Sequence, residues 1–446
     1  MKPALMGEER MQAMLDLALE HSKADQTEVA FSSGNWALTR FANSSIHQNM
    51  TSNSVGMQVR AVIGKKVASA SSNVTDEAGI RALVDLAVEM ARHQDDNPDF
   101  VSLPDPGPLS SKESTEPGSR HGRYVAATAA SSAEQRAEMV RKIIAESERV
   151  DATAAGSLSV HSGERAVANS LGVRAYYRTT YAGVRTVVTG PEGGFGYAAA
   201  TSNDLAEIDP RAVGEEAARL ASMSRNPTDL EPGEYECVLS PYAAADMLSS
   251  FIGMGFWALA YQEGRSFLCG KMGEKIVDSS VSIWDDGLDP RTLITPYDRE
   301  GVPKQRVDLV RNGVAAGLLY DSYTAHREGK KSTGHAGGFN PIMAPGNATV
   351  EEMIASTRRG LLVTRFHYTN VAHLMTASFT GMTRDGTFLI ENGRIARPVK
   401  NLRFTQSILD ALSNVDMIGR DLKLVGPTLV PALKIAKWRF VSGTEF

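Results

Sequence analysis

In TRDGTFLIENGRIARPV, Thr383 to Val399, two turn dipeptides bracket five residues of strand-forming character. Asp385-Gly386 and Asn392-Gly393 tolerate the positive φ that tight hairpins demand, so this spacing predicts a short strand with a hairpin on each side. Asp286-Gly287 and Asn312-Gly313 repeat the signal. From Tyr235 onward the chain therefore reads as an antiparallel β-rich meander or barrel-like sheet carrying buried helices. One helix is expected over Thr349 to Arg358, with Thr349 as cap and Glu351 and Glu352 in the first turn. Another is expected over Tyr242 to Tyr261, which holds Asp246, Ser249 and Ser250 and lacks a long Leu/Ile/Val run, so it suits a core better than a membrane. Its Met247, Leu248, Phe251, Ile252, Met254, Phe256, Trp257 and Leu259 are apolar nearly all round, and need cover on every side. A subunit interface built from residues beyond Tyr235 would give that cover, which predicts an obligate dimer.

Upstream, a strands-then-helix pattern occurs twice. WALTRFANSSIHQN and SVGMQVRAVIGKKVASASSN alternate like strands and precede a helix over Asp76 to His93, with Leu83, Leu86, Ala87 and Met90 on one face. RAVANSLGVRAYYR, YAGVRTVVTG and GFGYAAATSN precede a second helix over Pro210 to Met223, opened by Asp209. Ala42-Asn43-Ser44 matches Ala168-Asn169-Ser170, Gly56 matches Gly183, and Ala70 to Asn73 matches Ala200 to Asn203, at offsets of 126, 127 and 130 residues. A duplication accounts for offsets that drift so little. Between the repeats, residues 101–119 hold four prolines and read as an exposed linker, and Ser131 with Glu134 is placed as the capping box of the helix that follows. The class is α+β. The units are residues 1–100, a linker over 101–130, a central unit over 131–233 as a duplicate of the first, and a β-rich domain over 234–446.

Composition narrows the function. A net charge of −5 leaves no basic surplus for nucleic acid, and no membrane partner is expected. Two cysteines, Cys237 and Cys269, suit free buried thiols in a reducing compartment, and Glu8, Glu9 and Arg10 stand where a secretory signal would be apolar, so a cytoplasmic location is expected. There is no His-Glu-x-x-His. His326 and His335, nine residues apart, form with Glu328 either a ligand set or a solvated loop, and Asp285 with Asp286 either holds a hard cation or makes a turn. His367 and His373 would share a strand face ~20 Å apart, too far for one ion. Neither GKKST at Gly329 nor TGPEGGFG at Thr189 has the context of a phosphate loop, and no nucleophile elbow occurs.

Five stretches in order, LTRFANSSIHQN, GRSFLCGKMGEKIVDSSVSIWDDG, PYDREGVP, RNGVAAGLLYDSYTAHREGKKSTGHA and GMTRDGTFLIENGRIARPVKNLRF, resemble the TldD/PmbA family, known as modulators of DNA gyrase and as metalloprotease subunits. The resemblance runs from about Thr27 to the C-terminus. TldD-like members carry His-Glu-x-x-x-His on a helix and a later ligand cysteine. Here the matching helix reads Phe256 to Glu263 without histidine, and no cysteine follows Cys269. The resemblance therefore implies a PmbA (TldE)-like, non-catalytic subunit of a peptide-processing complex that itself binds no cofactor. Zinc would lie in a TldD-like partner subunit, a homodimer would form otherwise, and unfolded peptide would be the substrate. It implies Trp257, Arg265, Ser266, His326 and His335, with the loop Arg327 to Phe339, as substrate-binding or interface residues, and Asp298, Glu300 and Gly301 as support for that loop. Two other readings stay open: an independent metallopeptidase using His326, His335, Asp285 and Asp286, and a peptide-binding scaffold without a peptidase partner.

Overall fold

The computed structural model describes residues 5–106 and 122–444. The first unit runs α1 (Glu8–His21), β1 (Gln26–Ala42), β2 (Ser45–Ile63), β3 (Lys66–Ser72), α2 (Glu77–Arg92). After a short α3 (Ala126–Ala129), the second runs α4 (Ala133–Glu148), β4 (Thr153–Asn169), β5 (Arg174–Thr189), β6 (Phe195–Ser202), α5 (Pro210–Met223). Each unit is thus a helix, three strands and a helix. The strands form one antiparallel sheet in the order β3-β2-β1-β4-β5-β6, which reads the same from either edge. At its centre Gly34 pairs with Gly163, and Cβ atoms there would lie 2.9 and 2.6 Å from the His161 ring, so the two glycines make room for that imidazole.

Helices cover one face of this sheet. Asp76 caps α2 by accepting from the Gly79 N–H at 2.8 Å, and Ile80, Leu83, Val84, Ala87, Val88 and Ala91 are buried. Leu86 and Met90 face solvent, 51 % and 38 % exposed, because the buried stripe is rotated by one position from the expected one. The α4 cap also lies one residue on from Ser131 and Glu134. Ser132 Oγ accepts from the Gln135 N–H at 3.2 Å while Gln135 Oε1 accepts from the Ser132 N–H at 2.9 Å. The expected linker falls partly on residues 107–121, outside the described residues, and its described start is packed, with Phe100 and Leu103 buried beside Val62.

The second half contains β7 (Gly233–Leu239), α6 (Pro241–Gly255), α7 (Ala258–Gln262), β8 (Ile283–Asp285), β9 (Val307–Arg311), β10 (Val314–Ala315), α8 (Ser322–Arg327), β11 (Pro341–Met343) and α9 (Val350–Ala355). It ends with β12 (Arg359–His373), β13 (Ser378–Glu391), β14 (Arg394–Pro398), β15 (Leu402–Ser407), α10 (Ile408–Ser413), β16 (Val415–Val425) and β17 (Thr428–Gly443). Strands β7, β12, β13, β15 and β17 pair in a closed ring, because β17 bonds back to β7. The sheet is mixed rather than purely antiparallel. Strand β7 runs parallel to β12, and β11 parallel to β17, each through a long crossover.

Of the turn dipeptides, Asn312-Gly313 and Asn392-Gly393 make the tight turns of β9–β10 and β13–β14, with φ near 50° and 76–79°. Asp385-Gly386 makes no hairpin. It lies inside β13 at a register shift against β12, which is a bulge. Asp286 begins a loop after β8, its carboxylate accepting from the Leu288 N–H at 3.0 Å. Helix α9 is shorter than expected but carries the expected Thr349 cap, completed by Glu352.

Helix α6 is covered by its own chain. Met247, Leu248, Phe251, Ile252, Met254 and Phe256 lie in one core with Phe366, Phe379, Phe404 and Trp438 of the ring strands. Its all-round apolarity is satisfied by the barrel and calls for no second subunit. Among the described residues no helix is long and apolar enough to cross a membrane.

Candidate functional site

The stretch after α6 is braced against the loop that follows α8. Trp257 meets the Phe339 ring edge to face at 6.1 Å, and the Gln262 amide donates to the Thr324 carbonyl at 2.7 Å and to Glu328 Oε1 at 2.8 Å. Arg265 is exposed and held by Glu263 two residues away. Ser266 is buried, donating to the Gly255 carbonyl at 2.7 Å and accepting from the Leu268 N–H at 3.0 Å, so it fixes the chain reversal and offers nothing to a solute. Cys237 is buried and Cys269 half-buried, both as free thiols.

Beneath this brace lies a buried polar knot. His335 Nε2 sits 2.7 Å from Asp285 Oδ1 and its Nδ1 2.9 Å from Thr333 Oγ1, while Asp285 Oδ2 accepts from the Asn340 N–H at 2.5 Å. Lys304 Nζ, fully buried, stands 3.9 Å from Asp285 and donates to the Gly338 carbonyl at 3.0 Å. Burial holds the Lys304 ammonium below the usual lysine range against the pull of Asp285.

Asp298 stands at the edge of the knot. Its carboxylate accepts from the N–H groups of Glu300, Val302 and Ala336 at 2.8–2.9 Å, tying the 298–302 turn to the loop at Ala336. Burial, with the Glu300 charge beside it, outweighs those donors and raises Asp298 to about 7. Glu300 then carries the contact to the first unit: Arg60 Nη2 lies 3.0 Å from Glu300 and 2.7 Å from Glu28. Gly301 seats against Val167, Val173 and Ala175, where a Cβ would come within 2.9 Å of Val173. The turn and the loop together clamp the two halves of the molecule.

The structure brings Asp285 and His335 together, and leaves His326 and Asp286 apart from them. His326 lines a separate cavity with Ser322, Pro303 and Lys331. Among the described residues no three His, Cys, Asp or Glu side chains converge as metal ligands. The donor set does not suit zinc, since both Asp285 oxygens and both His335 nitrogens are already engaged inside the protein. Sequence reasoning missed Lys304 and Asn340, for a lysine and an asparagine in a loop give no signal of burial until the loop is folded.

Three family models match in succession: PmbA/TldA metallopeptidase domain 1 over residues 27–91, the central domain over 126–225 and the C-terminal domain over 232–442. The metalloprotease PmbA of Escherichia coli O157:H7 is 26 % identical over 443 residues, 96 % of each chain. TldE from Thermococcus kodakarensis superposes with a TM-score of 0.86 over 97 % of this chain and 99 % of its own, at 21 % identity, a likeness of fold. A candidate modulator of a DNA gyrase from Thermotoga maritima superposes with a TM-score of 0.84 over 97 % of this chain and 100 % of its own, also at 21 % identity. With all three models matched in order along one chain, this protein belongs to the PmbA/TldD metallopeptidase family.

Proposed function

We propose that the chain is a non-catalytic, PmbA/TldE-like subunit that works with a TldD-type metalloprotease on unfolded peptides. The observation that carries this reading is the stretch Phe256 to Glu263. Where metal-binding histidines would be expected, it presents a buried Phe256, a packed Trp257 and a Gln262 whose amide N–H groups are spent on Thr324 and Glu328. A partner surface is available elsewhere. The part of β12 beyond its pairing with β7, with the turn into β13, forms an arm that exposes Tyr368, Val371, Leu374 and Met375.

The test is co-expression with a TldD-type chain. The pair should cleave an unfolded peptide that neither chain cleaves alone, with zinc recovered in the partner. The rival reading of an independent metallopeptidase predicts about one zinc per chain after dialysis, lost in His326→Ala or His335→Ala.

A further inference from the structure

The face of the six-stranded sheet away from its helices is not filled by the barrel. A cleft of about 580 Å³ remains between this face and the turn joining β16 to β17. Its floor includes the small residues Ser157, Ser159 and Ala199, with the Tyr181 ring lying over Gly183, and its walls include Trp36 and Tyr197. Arg40 and Arg185 line it, and no Asp or Glu does.

The register places these two arginines with respect to each other. Arg40 of β1 is opposite Ser157 of β4, and Ser157 is opposite Arg185 of β5. Residues opposite one another across a ladder point to the same face, so both guanidinium groups rise from the cleft floor on either side of Ser157, their backbones about 10 Å apart. Among the described residues neither has a carboxylate partner. The Arg40 side chain makes one long bond to Gln48 Oε1 at 3.4 Å, and the Arg185 guanidinium makes neither a hydrogen bond nor an ion pair among the described residues. Two planar, always-charged donors on one face of a cleft that no carboxylate lines form a ready receptor for an anionic group.

We propose that Arg40 and Arg185 form a carboxylate-recognition subsite for an extended peptide lying along the uncovered sheet face. The proposal rests on the peptide-handling reading above and deepens it by naming what the chain selects. The small side chain of Ser157 between the two arginines lets an extended backbone approach there, aromatic walls pack its side chains, and the two guanidinium forks take a carboxylate, from an Asp or Glu side chain or from a free C-terminus. Arg40 and Arg185 are binding residues in this assignment, with no part in bond cleavage.

Isothermal titration calorimetry of the full chain tests it with four unlabelled ten-residue peptides of one Gly/Ser/Ala sequence. The first is capped at both ends with a central Asp-Glu, the second is its capped Asn-Gln counterpart, and the third and fourth are the same two with free C-termini. The capped Asp-Glu peptide is expected to bind about tenfold or more tighter than the capped Asn-Gln peptide, with a preference that weakens as salt screens it. If the C-terminal carboxylate is the one recognised, the free Asn-Gln peptide gains instead, which also supports the subsite. In either case Arg40→Gln with Arg185→Gln should abolish the preference, while Arg178→Gln, which removes an exposed arginine stacked on Tyr124, should leave it intact. Circular dichroism establishes that the double variant is folded. Equal affinity for all four peptides, no measurable binding at about 1 mM peptide, an unchanged preference in a folded double variant, or tighter binding of a single-stranded oligonucleotide than of any peptide overturns the proposal. A preference lost in the double variant, together with no activation of a TldD-type partner, would keep the subsite and remove the subunit reading. Full activation without any preference would do the reverse.

Discussion

His335 and Asp285 were placed together as ligand candidates by their chemistry, and the fold uses them on each other. Two polar groups with no exposed surface are stable only while paired, since an orphaned buried partner loses its solvation without return. His335→Ala is therefore expected to destabilise the protein by about 3 kcal/mol, and His335→Gln by less, measured as a shift in urea unfolding. A change within about 0.5 kcal/mol would contradict the pairing. Asp298 gives a residue-scale pH dependence. Its carboxyl is raised from an ordinary value of 3.8 to about 7 by burial, so between those values the folded state holds a proton that the unfolded state releases. Stability from this group is full below pH 3.8 and is lost as pH rises through about 7. Asp246, raised to about 6 by burial, adds in the same direction, whereas the burial that lowers His161 works oppositely. Thermal unfolding at about pH 5 and pH 8 should show a smaller fall for Asp298→Asn than for the unmodified chain. An identical fall in both would show that the carboxyl titrates normally.

Turn chemistry reads differently once the elements pair. Asn392-Gly393 has both residues at positive φ and closes a hairpin; Asp385-Gly386 has the same feature and bends one strand. The difference lies in the partner strand. Thr364 sits opposite the bulge, and Arg365 reaches across to bind Asp385 at 2.6 Å, so β13 continues past the bend instead of turning back. At Gly386, with φ of 121°, a Cβ would lie 2.6 Å from Thr364 Oγ1, whereas at Gly426, with φ of 57°, it would meet nothing within 4 Å. Gly386→Ala should accordingly cost about 2–3 kcal/mol, and Gly426→Ala about 1 kcal/mol, by urea unfolding. Equal costs would mean that the bulge tolerates a side chain.

The whole molecule has two candidate routes to a partner, the all-apolar helix and the arm. Helix α6 is spent on the barrel core, which leaves the arm. Tyr368, 76 % exposed and at φ of 56°, and Val371, 53 % exposed, are costly to display without a purpose. The combined change Tyr368→Asp, Val371→Asp and Met375→Asp should leave a folded monomer that no longer co-purifies with, or activates, a TldD-type chain. Light scattering of an unchanged complex would place the contact elsewhere. Leu248→Asp, by contrast, should prevent folding outright, because that side chain faces only the core.

Local chemistry, which acts over a few residues, was legible in the sequence: the Asp209 and Thr349 caps, the Asn-Gly hairpins, and the repeat carried by matching small residues. The missing histidine between His161 and His326 was equally plain. Long-range closure was not. That β17 returns to β7, that α6 needs no second chain, that Lys304 lies beneath a loop, and that Arg40 and Arg185 flank one serine all depend on segments from about twenty to two hundred residues apart meeting in space. A residue's own neighbours in sequence set its backbone preferences, but its burial and its charge environment are set by segments that only tertiary packing brings near.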